Sequence, residues 1–405
     1  MAARALQIVV HDYSGHPGQA QLSRALAARG HEVVHQHCPS YATGKGSLEL
    51  EPGDPATLRF EAVSMDGEFR RYSPLERLRQ EVGYGIRAGG AIAAHRPDVA
   101  VISNVPLLAH SLVTMRLRRR RIPMVFWHQD IYSTAIRAAL VKQLSHAGRP
   151  VGWLAERAER AIARASAAIV VISPTFLDKL RSWGVDARAT VVPNWAPIAE
   201  LPVRPRDNAW RERTGLGHAP VVLYSGTLGL KHDPSILASI AEELGRSDPE
   251  ARVVVVSQGK GREWLEAWRR EYGASNLVLL DYQPYEDVPD MMAAADVLVA
   301  LLEPDASRYS VPSKVLTYMC AERAILGVMP SDNSVAEILR SEQAGVVVEP
   351  KARADAAAWA IKLVEDETLR SSLGASARAY AEAHFSPERA AERFVEVFAG
   401  AGVRS

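Results

Sequence analysis

The sequence predicts an α/β protein made of two doubly wound parallel sheets. Three observations carry that prediction. Short apolar runs rich in β-branched residues alternate with segments of helical period from the start of the chain. The alternation breaks once, in the proline- and arginine-rich stretch WAPIAELPVRPRDN at 195–208, and then resumes. At 405 residues the chain is also longer than one hydrophobic core usually organises. The economical arrangement is two such sheets facing each other across a central cleft, with ligands expected outside the carboxyl ends of the strands.

The elements follow in order. ALQIVVH reads as a buried strand and DYSGHPG as a turn. AQLSRALAARG then has helical spacing and ends on Gly30. HEVVHQH is the second strand, and 39–72 reads as loops and short strands. SPLE at 73–76 is a capping box, with Ser73 at the cap, Pro74 first in the helix and Glu76 closing back. PDVAVISN, IPMVFWHQD, AAIVVIS and ATVVPN are further strands, separated by helices that include GWLAERAERAIARA and TFLDKLRSWG. After the linker, APVVLYSG, ARVVVVSQG, NLVLLDY, ADVLVALL, AILGVMP and AGVVVEP alternate with helices at 234–245, 262–272, 286–294, 314–322 and 333–340.

Composition narrows the class. Hydrophobic residues are 47% and charged residues 23%, the balance of a globular protein. The two cysteines, Cys38 and Cys320, are too few for a disulfide framework or a zinc cage, and a reducing cytoplasm fits. The segment MAARALQIVVHDY meets a charge too soon for a signal peptide, and no apolar run reaches about 18 residues. Charge is uneven. Residues 1–194 hold 25 Lys and Arg against 16 Asp and Glu, a balance of +9, and the remainder carries −8. The basic half is expected to meet something anionic. The run RLRRRR, Arg116 to Arg121, fits either a solvated helix end or contact with an anionic membrane. Its basic residues lack interleaved aromatics, which argues against a nucleic-acid partner.

The loops after strands hold the candidate chemistry. GTLGLKHD brackets a tight turn between Gly226 and Gly229 and places Lys231 before a helix opened by Asp233 and Pro234. QGKGRE repeats the pattern with Gly259, Lys260 and Gly261. Each loop could equally be a plain strand-to-helix turn with a solvated lysine, and neither matches a P-loop. The third loop ends in VPSKVLTYM. There Lys314 stands at the positive end of a helix that starts after Pro312, a mildly unfavourable place unless an anion lies between it and the helix N–H groups. Ser313 can cap that helix. Three such loops on one sheet favour a phosphate-bearing ligand. In the first half, His128 ends a strand and is expected to face the cleft, with His11 and Asp130 at similar strand ends. No metal is expected, because the chain shows no D-x-D motif at a strand end and no His/Cys ligand spacing.

Taken in order, SRALAARGHEV, the strand-end histidine, VVISPTFLDKLRSWGV, VVPNW, YSGTLGLKHD, SQGKGREWLE, MMAAADVLVALL and VPSKVLTYMCAERAIL resemble the retaining GT-B glycosyltransferases of family 4. The bacterial branch that builds capsular and exopolysaccharide units is the most similar. The resemblance implies Rossmann-like domains at 1–194 for the acceptor and 195–385 for a nucleotide-diphosphate sugar, with a helix over 386–405 packing back toward the first. It implies Gly15 near the donor phosphates, His128 at the transferred sugar and Lys231 at the diphosphate. Gly226 and Thr227 would border the phosphates, and Gly259 and Lys260 the nucleotide. Tyr282 and Tyr285 would lie beside the base, and Ser313, Lys314 and Val315 would open the phosphate-holding helix.

The sequence departs from the family pattern. Many members carry two glutamates where Tyr309 and Thr317 stand and an arginine where Thr227 stands, and Glu303 could contact the sugar instead. The expected activity is metal-independent transfer of a UDP- or GDP-type sugar, with no cofactor, to a saccharide acceptor, lipid-linked at the cytoplasmic membrane face. Two alternatives stand beside it: a nucleotide-sugar 2-epimerase, which would need cleft carboxylates, and a non-catalytic nucleotide-sugar binder.

Overall fold

The structure is a computed structural model that describes residues 4–40, 47–65, 74–134, 136–137, 140, 149–229, 232–302 and 311–403. Ser73, Lys231, Glu303 and Tyr309 lie outside these residues. The chain divides into two compact units, Met1–Asn194 with Ser386–Ser405, and Trp195–Phe385.

The first unit is built on seven strands: β1 Gln7–Asp12, β2 Glu32–His37, β3 Leu58–Ala62, β4 Val99–Ser103, β5 Met124–His128, β6 Ala168–Val171 and β7 Ala189–Val191. They are all parallel, in the order β3-β2-β1-β4-β5-β6-β7. Continuous apolar runs such as Val99 to Ile102 are buried throughout, as a sheet covered on both faces requires. Helices α1 Pro17–Ala28, α2 Pro74–Ala94, α3 Leu107–Arg120, α4 Arg149–Ala165 and α5 Thr175–Trp183 connect them. The turn after α3 is closed by Arg121 in the left-handed region.

The second unit has six parallel strands: β8 Val221–Ser225, β9 Arg252–Val256, β10 Leu277–Leu280, β11 Val297–Leu301, β12 Ala324–Val328 and β13 Val346–Val348. Their order is β10-β9-β8-β11-β12-β13. The helices are α6 Ala209–Arg213, α7 Ser235–Ser247, α8 Lys260–Tyr272, α9 Val288–Ala293, α10 Ser313–Met319, α11 Ser334–Ser341, α12 Arg353–Glu365 and α13 Glu367–His384. Alternate strand residues, Val222 and Tyr224, Val253 and Val255, Val297 and Val299, form one core with Ile236, Ile240 and Leu244 of α7 and Ala356, Ala360 and Leu363 of α12. The last helix, α14 Pro387–Gly400, returns to the first unit, where Phe394 packs edge-on against Trp127 at 4.9 Å.

Some local expectations shift. The stretch 195–208 is docked on the second unit: Trp195 and Leu201 are buried, and Arg206 binds Asp296 at 2.8 Å. The helix α6 that follows was not legible in its polar sequence; Asn208 caps it, and Arg211 is buried against the carbonyls of Gly217, Ala219 and Ala294. Helix α7 starts one residue later than Pro234, because the Asp233 carboxylate accepts from both Ser235 N and Ser235 Oγ and makes a turn of its own. Both cysteines are buried thiols. Among the described residues no helix is long and apolar enough to cross a membrane.

Candidate active site

In the second sheet the winding direction reverses between β8 and β11, and in such sheets the crevice for ligands lies outside the strand ends at that point. β8 delivers the turn 226–229 there. Gly226 has φ +135°, a conformation that side chains rarely adopt, and a Cβ built on it would lie 2.9 Å from Lys314 Nζ. The glycine is therefore what admits the lysine. Lys314 reaches back from α10, its ammonium 3.9 Å from the centre of the Tyr224 ring and 2.6 Å from Tyr224 Oη, to which it donates. Tyr224 Oη donates in turn to Thr227 O at 3.1 Å. Tyr318, one turn beyond Lys314, ties α10 to the strand end: Ser225 N donates to its hydroxyl at 2.9 Å, and that hydroxyl donates to Ser225 O at 3.1 Å.

Among the described residues no carboxylate lies within salt-bridge distance of Lys314. Burial lowers its pKa to about 7, and burial likewise pushes the Tyr224 phenol well above its ordinary range. The arrangement is an ammonium held by a π face and a phenol.

The neighbouring loops are laced to the same turn. Leu228, fully buried, donates its N–H to Ser257 Oγ at 3.1 Å and accepts from Gly261 N at 3.2 Å. A Cβ on Gly261 would meet Leu228 Cβ at 2.7 Å, so this close approach needs glycine. Gly259, at φ +102°, caps α8, and Lys260 opens that helix with an exposed side chain. Thr227 Oγ1 and Tyr282 Oη share a hydrogen bond of 2.5 Å on the outer side. Gly226, Thr227, Gly259, Tyr282 and Lys314 are thus brought to one edge.

Other expected residues are placed differently. Helix α10 has seven residues, its cap position is Pro312, and no side chain caps it, so Ser313 sits exposed inside the first turn instead of capping. Val315 N already donates to Pro312 O at 2.9 Å and its side chain is in the core, so it has no N–H to offer a phosphate. Charge at this edge therefore falls to the Lys314 ammonium more than to a helix terminus. Tyr285 turns to the linker, donating to Glu200 Oε2 at 2.8 Å, and burial with that carboxylate raises its phenol pKa. Thr317 Oγ1 donates to Ser313 O at 3.4 Å.

In the first unit the turn after β1 is wired by a buried carboxylate. Asp12 accepts from Ser14 N at 3.3 Å, His16 N at 2.7 Å and Asn104 Nδ2 at 2.8 Å, and Gly15 takes φ +71° within that turn. Burial raises the Asp12 pKa. His11 belongs to the core: its ring meets Gln36 at 3.3 Å and Tyr84 Oη at 3.2 Å, and burial lowers its pKa to about 4. His128 stands at the end of β5, as expected. It is fully buried, and its Nε2 is 3.0 Å from Glu159 Oε1. Glu159 also accepts from Tyr132 N at 2.8 Å and Ser133 N at 3.0 Å, so the pair anchors the segment after β5. Asp130 is half-buried beside it.

Tyr224, Tyr318, Asp12 and Glu159 are the residues that sequence reasoning missed. A tyrosine at a strand end and a carboxylate on an amphipathic helix look like core and surface respectively, and only the fold shows what they touch. Among the described residues no three His, Cys, Asp or Glu side chains cluster to hold a metal ion.

Residues 16–195 match the family model for the glycosyl transferase 4-like domain, and residues 207–380 match that for glycosyl transferases group 1. Alpha-D-kanosaminyltransferase of Streptomyces kanamyceticus is 23% identical over 81% of this chain and 80% of its own length. A GDP-mannose-dependent monoacylated alpha-(1-6)-phosphatidylinositol monomannoside mannosyltransferase of Corynebacterium glutamicum is 23% identical over 74% of this chain and 81% of its own. The fold is similar to that of Anabaena HepE, solved with UDP and glucose: TM-score 0.70, 16% identity, 97% of this chain and 99% of that one.

Proposed function

Because the chain belongs to the glycosyltransferases of GT-B fold and family-4 type, we propose that it moves a hexosyl unit from a UDP- or GDP-sugar to a saccharide acceptor with retention of anomeric configuration. The observation that carries this reading is Lys314: a buried ammonium, let in by Gly226 at the edge of the second sheet, with no carboxylate within salt-bridge distance among the described residues. A donor diphosphate supplies an anion there. Lys314, with Lys231, which follows the turn 226–229 in sequence, stabilises the charge that develops as the bond between sugar C1 and phosphate oxygen breaks. The acceptor hydroxyl attacks the same face, its oxygen bonds to C1, and its proton passes to the departing phosphate oxygen. No enzymic nucleophile is needed, and the two lysines carry the charge that a metal would otherwise meet. Thr227, Tyr282, Gly259 and Lys260 border the nucleotide.

The first unit receives the acceptor, and a lipid-linked saccharide in glycoconjugate or exopolysaccharide assembly at the cytoplasmic membrane face fits its charge of +9. The test is a thermal-shift series with UDP-, GDP-, ADP- and dTDP-sugars, each with and without EDTA, since a ligand that binds only the folded state raises the midpoint. One nucleotide class raising it, insensitive to EDTA and lost in Lys314→Met, is the expected result. No shift with any nucleotide sugar, or an unchanged shift in Lys314→Met, would sink the assignment.

A further inference from the structure

Nine of the twelve histidines fall in residues 1–194, and several of them enter the core around the first sheet. His11 on β1, His35 on β2 and His110 on α3 are each at most 1% exposed. The three histidines of the second unit are placed differently: His218 and His384 are exposed and His232 is half-buried. A free imidazole titrates near pH 6.5, so this uneven placement gives the two units different responses to mild acid.

Each of the three core rings is wired as a neutral group. Ser23 Oγ donates to Gln19 O at 3.2 Å, so it accepts from His35 Nδ1 at 2.8 Å, and His35 Nε2 is buried with no partner. Gln36 Nε2 donates to Glu61 Oε2 at 3.2 Å, which leaves Gln36 Oε1 to accept from His11 Nδ1 at 3.3 Å. Tyr84 Oη then donates to His11 Nε2 at 3.2 Å. His110 stands edge-on to Phe126 at 4.8 Å, and its Nε2 is buried with no partner. A second proton would give His35 and His110 a buried N–H with no acceptor, and would set an N–H of His11 against a phenol O–H.

No carboxylate balances the added charge. Among the described residues the ion-paired histidines are His95 with Glu61 and His128 with Glu159. The charged and titratable groups that act on the core rings are His37, His11 and Arg24 at His35, His37 at His11, and His128 and His11 at His110. All of them are cations or imidazoles, and Tyr84 adds a neutral phenol at His11. Asp12 follows His11 on β1 but is engaged by Ser14, His16 and Asn104. Burial first, and the neighbouring imidazoles after it, lower the pKa to about 4 at His11 and to about 3 at His35 and His110.

We propose that the first unit is an acid-sensitive element that unfolds in mild acid while the second unit stays folded. A histidine held neutral in the fold takes its proton only on unfolding. Its stability is therefore complete above pH 6.5 and falls as pH drops from there toward the folded pKa. Each of the three lowers the folding constant about tenfold between pH 7.5 and pH 5.5, and together they lower it about 1,000-fold. Asp12, whose pKa burial raises, gains stability over the same window and offsets part of this, so the expected loss is about 100- to 1,000-fold. In the second unit Lys314 accounts for about fourfold. The functional consequence rests on the proposed activity. Transfer needs both units and donor binding needs the second, so acid should end transfer before it ends donor binding.

The two cysteines report on one unit each, because Cys38 is buried in the first and Cys320 in the second. The full chain is titrated with urea at pH 7.5 and at pH 5.5 and pulsed with dithiodipyridine, which reacts with thiols in mild acid. Mass spectrometry of peptides then scores each cysteine. Cys38 should become reactive at much lower urea at pH 5.5, with the 100- to 1,000-fold loss in folding constant, and Cys320 should change by less than about tenfold. His110→Phe keeps an edge-on ring and removes one proton site, so the loss at Cys38 should shrink about tenfold. His35→Phe serves the same end if that variant does not fold. His218→Gln, at an exposed position of the second unit, should change nothing. Equal shifts at both cysteines, no shift at Cys38, or a loss that the histidine variants of the first unit leave intact overturns the proposal. No donor or acceptor enters these readouts, so this proposal and the proposed function can fail separately.

Discussion

Lys314 should make donor binding depend on pH in a way that ordinary lysines do not. In the free protein its pKa is lowered from 10.5 to about 7 by burial. A bound diphosphate offers a counter-charge and draws the pKa back up. Binding should then take up a proton wherever the free site is neutral and the occupied site charged. Near pH 7 the site is half protonated, so about half a proton is taken up; by pH 9 the uptake approaches one. The dissociation constant should rise toward tenfold per pH unit above 7, or about 50-fold between pH 7 and pH 9.

Titration calorimetry in buffers of different ionisation enthalpy measures both quantities at once. Lys314→Met should bind weakly and lose the proton uptake. The sign for stability runs the other way. As pH falls from 10.5 through 7 the unfolded chain holds the proton more readily than the folded one, so stability drops across that window and stays reduced below it. Lys314→Met should therefore stabilise the empty protein by about 1–3 kcal/mol at pH 6, a figure discounted for the partial exposure of the residue, and by little at pH 10.5. Affinity that is flat from pH 6 to pH 9, with no proton uptake, would refute the reasoning.

Other perturbations separate the site from the scaffold. Gly226→Ala puts a methyl 2.9 Å from Lys314 Nζ and strains a backbone at φ +135°. It should cost about 1–3 kcal/mol of stability in denaturant titrations and weaken donor binding about tenfold or more by displacing the ammonium. Glu159→Ala leaves His128 and the N–H of Ser133 buried without this acceptor, while Tyr132 N keeps its bond to Asp130 O. A loss of about 3–5 kcal/mol is expected by chemical unfolding, with Glu159→Gln milder. Tyr285→Phe removes the bond to Glu200 alone, so calorimetry should find donor affinity within about twofold of the parent and stability within about 1 kcal/mol.

The strands and the doubly wound, parallel class of both sheets were legible because parallel strands buried on both faces must be short, apolar and β-branched, and alternate with helices; the strand order itself came only with the structure. The loops that carry glycines and lysines were legible for the same reason, since each had to follow a strand. What the sequence did not disclose depends on contacts between distant positions. Lys314 reads as a lysine at a helix mouth; only the packing of α10 on β8 shows it turned back onto Tyr224, with Gly226 making the room. His128 reads as a strand-end histidine, and its burial depends on Glu159 arriving from α4. Val315 and Ser313 read as part of an anion-binding terminus, yet a seven-residue helix whose third N–H is already bonded to Pro312 leaves little for an anion. Arg211 reads as one charge in a polar stretch; the carbonyls of Gly217 and Ala219 just beyond its helix and of the distant Ala294 make its burial possible.

The central claim is that a nucleotide sugar binds the edge formed by the turns 226–229 and 257–261 and the start of α10. Amide hydrogen exchange with and without a saturating nucleotide sugar tests it most directly. The account predicts slowed exchange at Gly226, Thr227, Gly259, Ser313 and Lys314, with the strand interiors of the second sheet unchanged. Protection confined to the first unit, or none at these positions under saturating ligand, would contradict it.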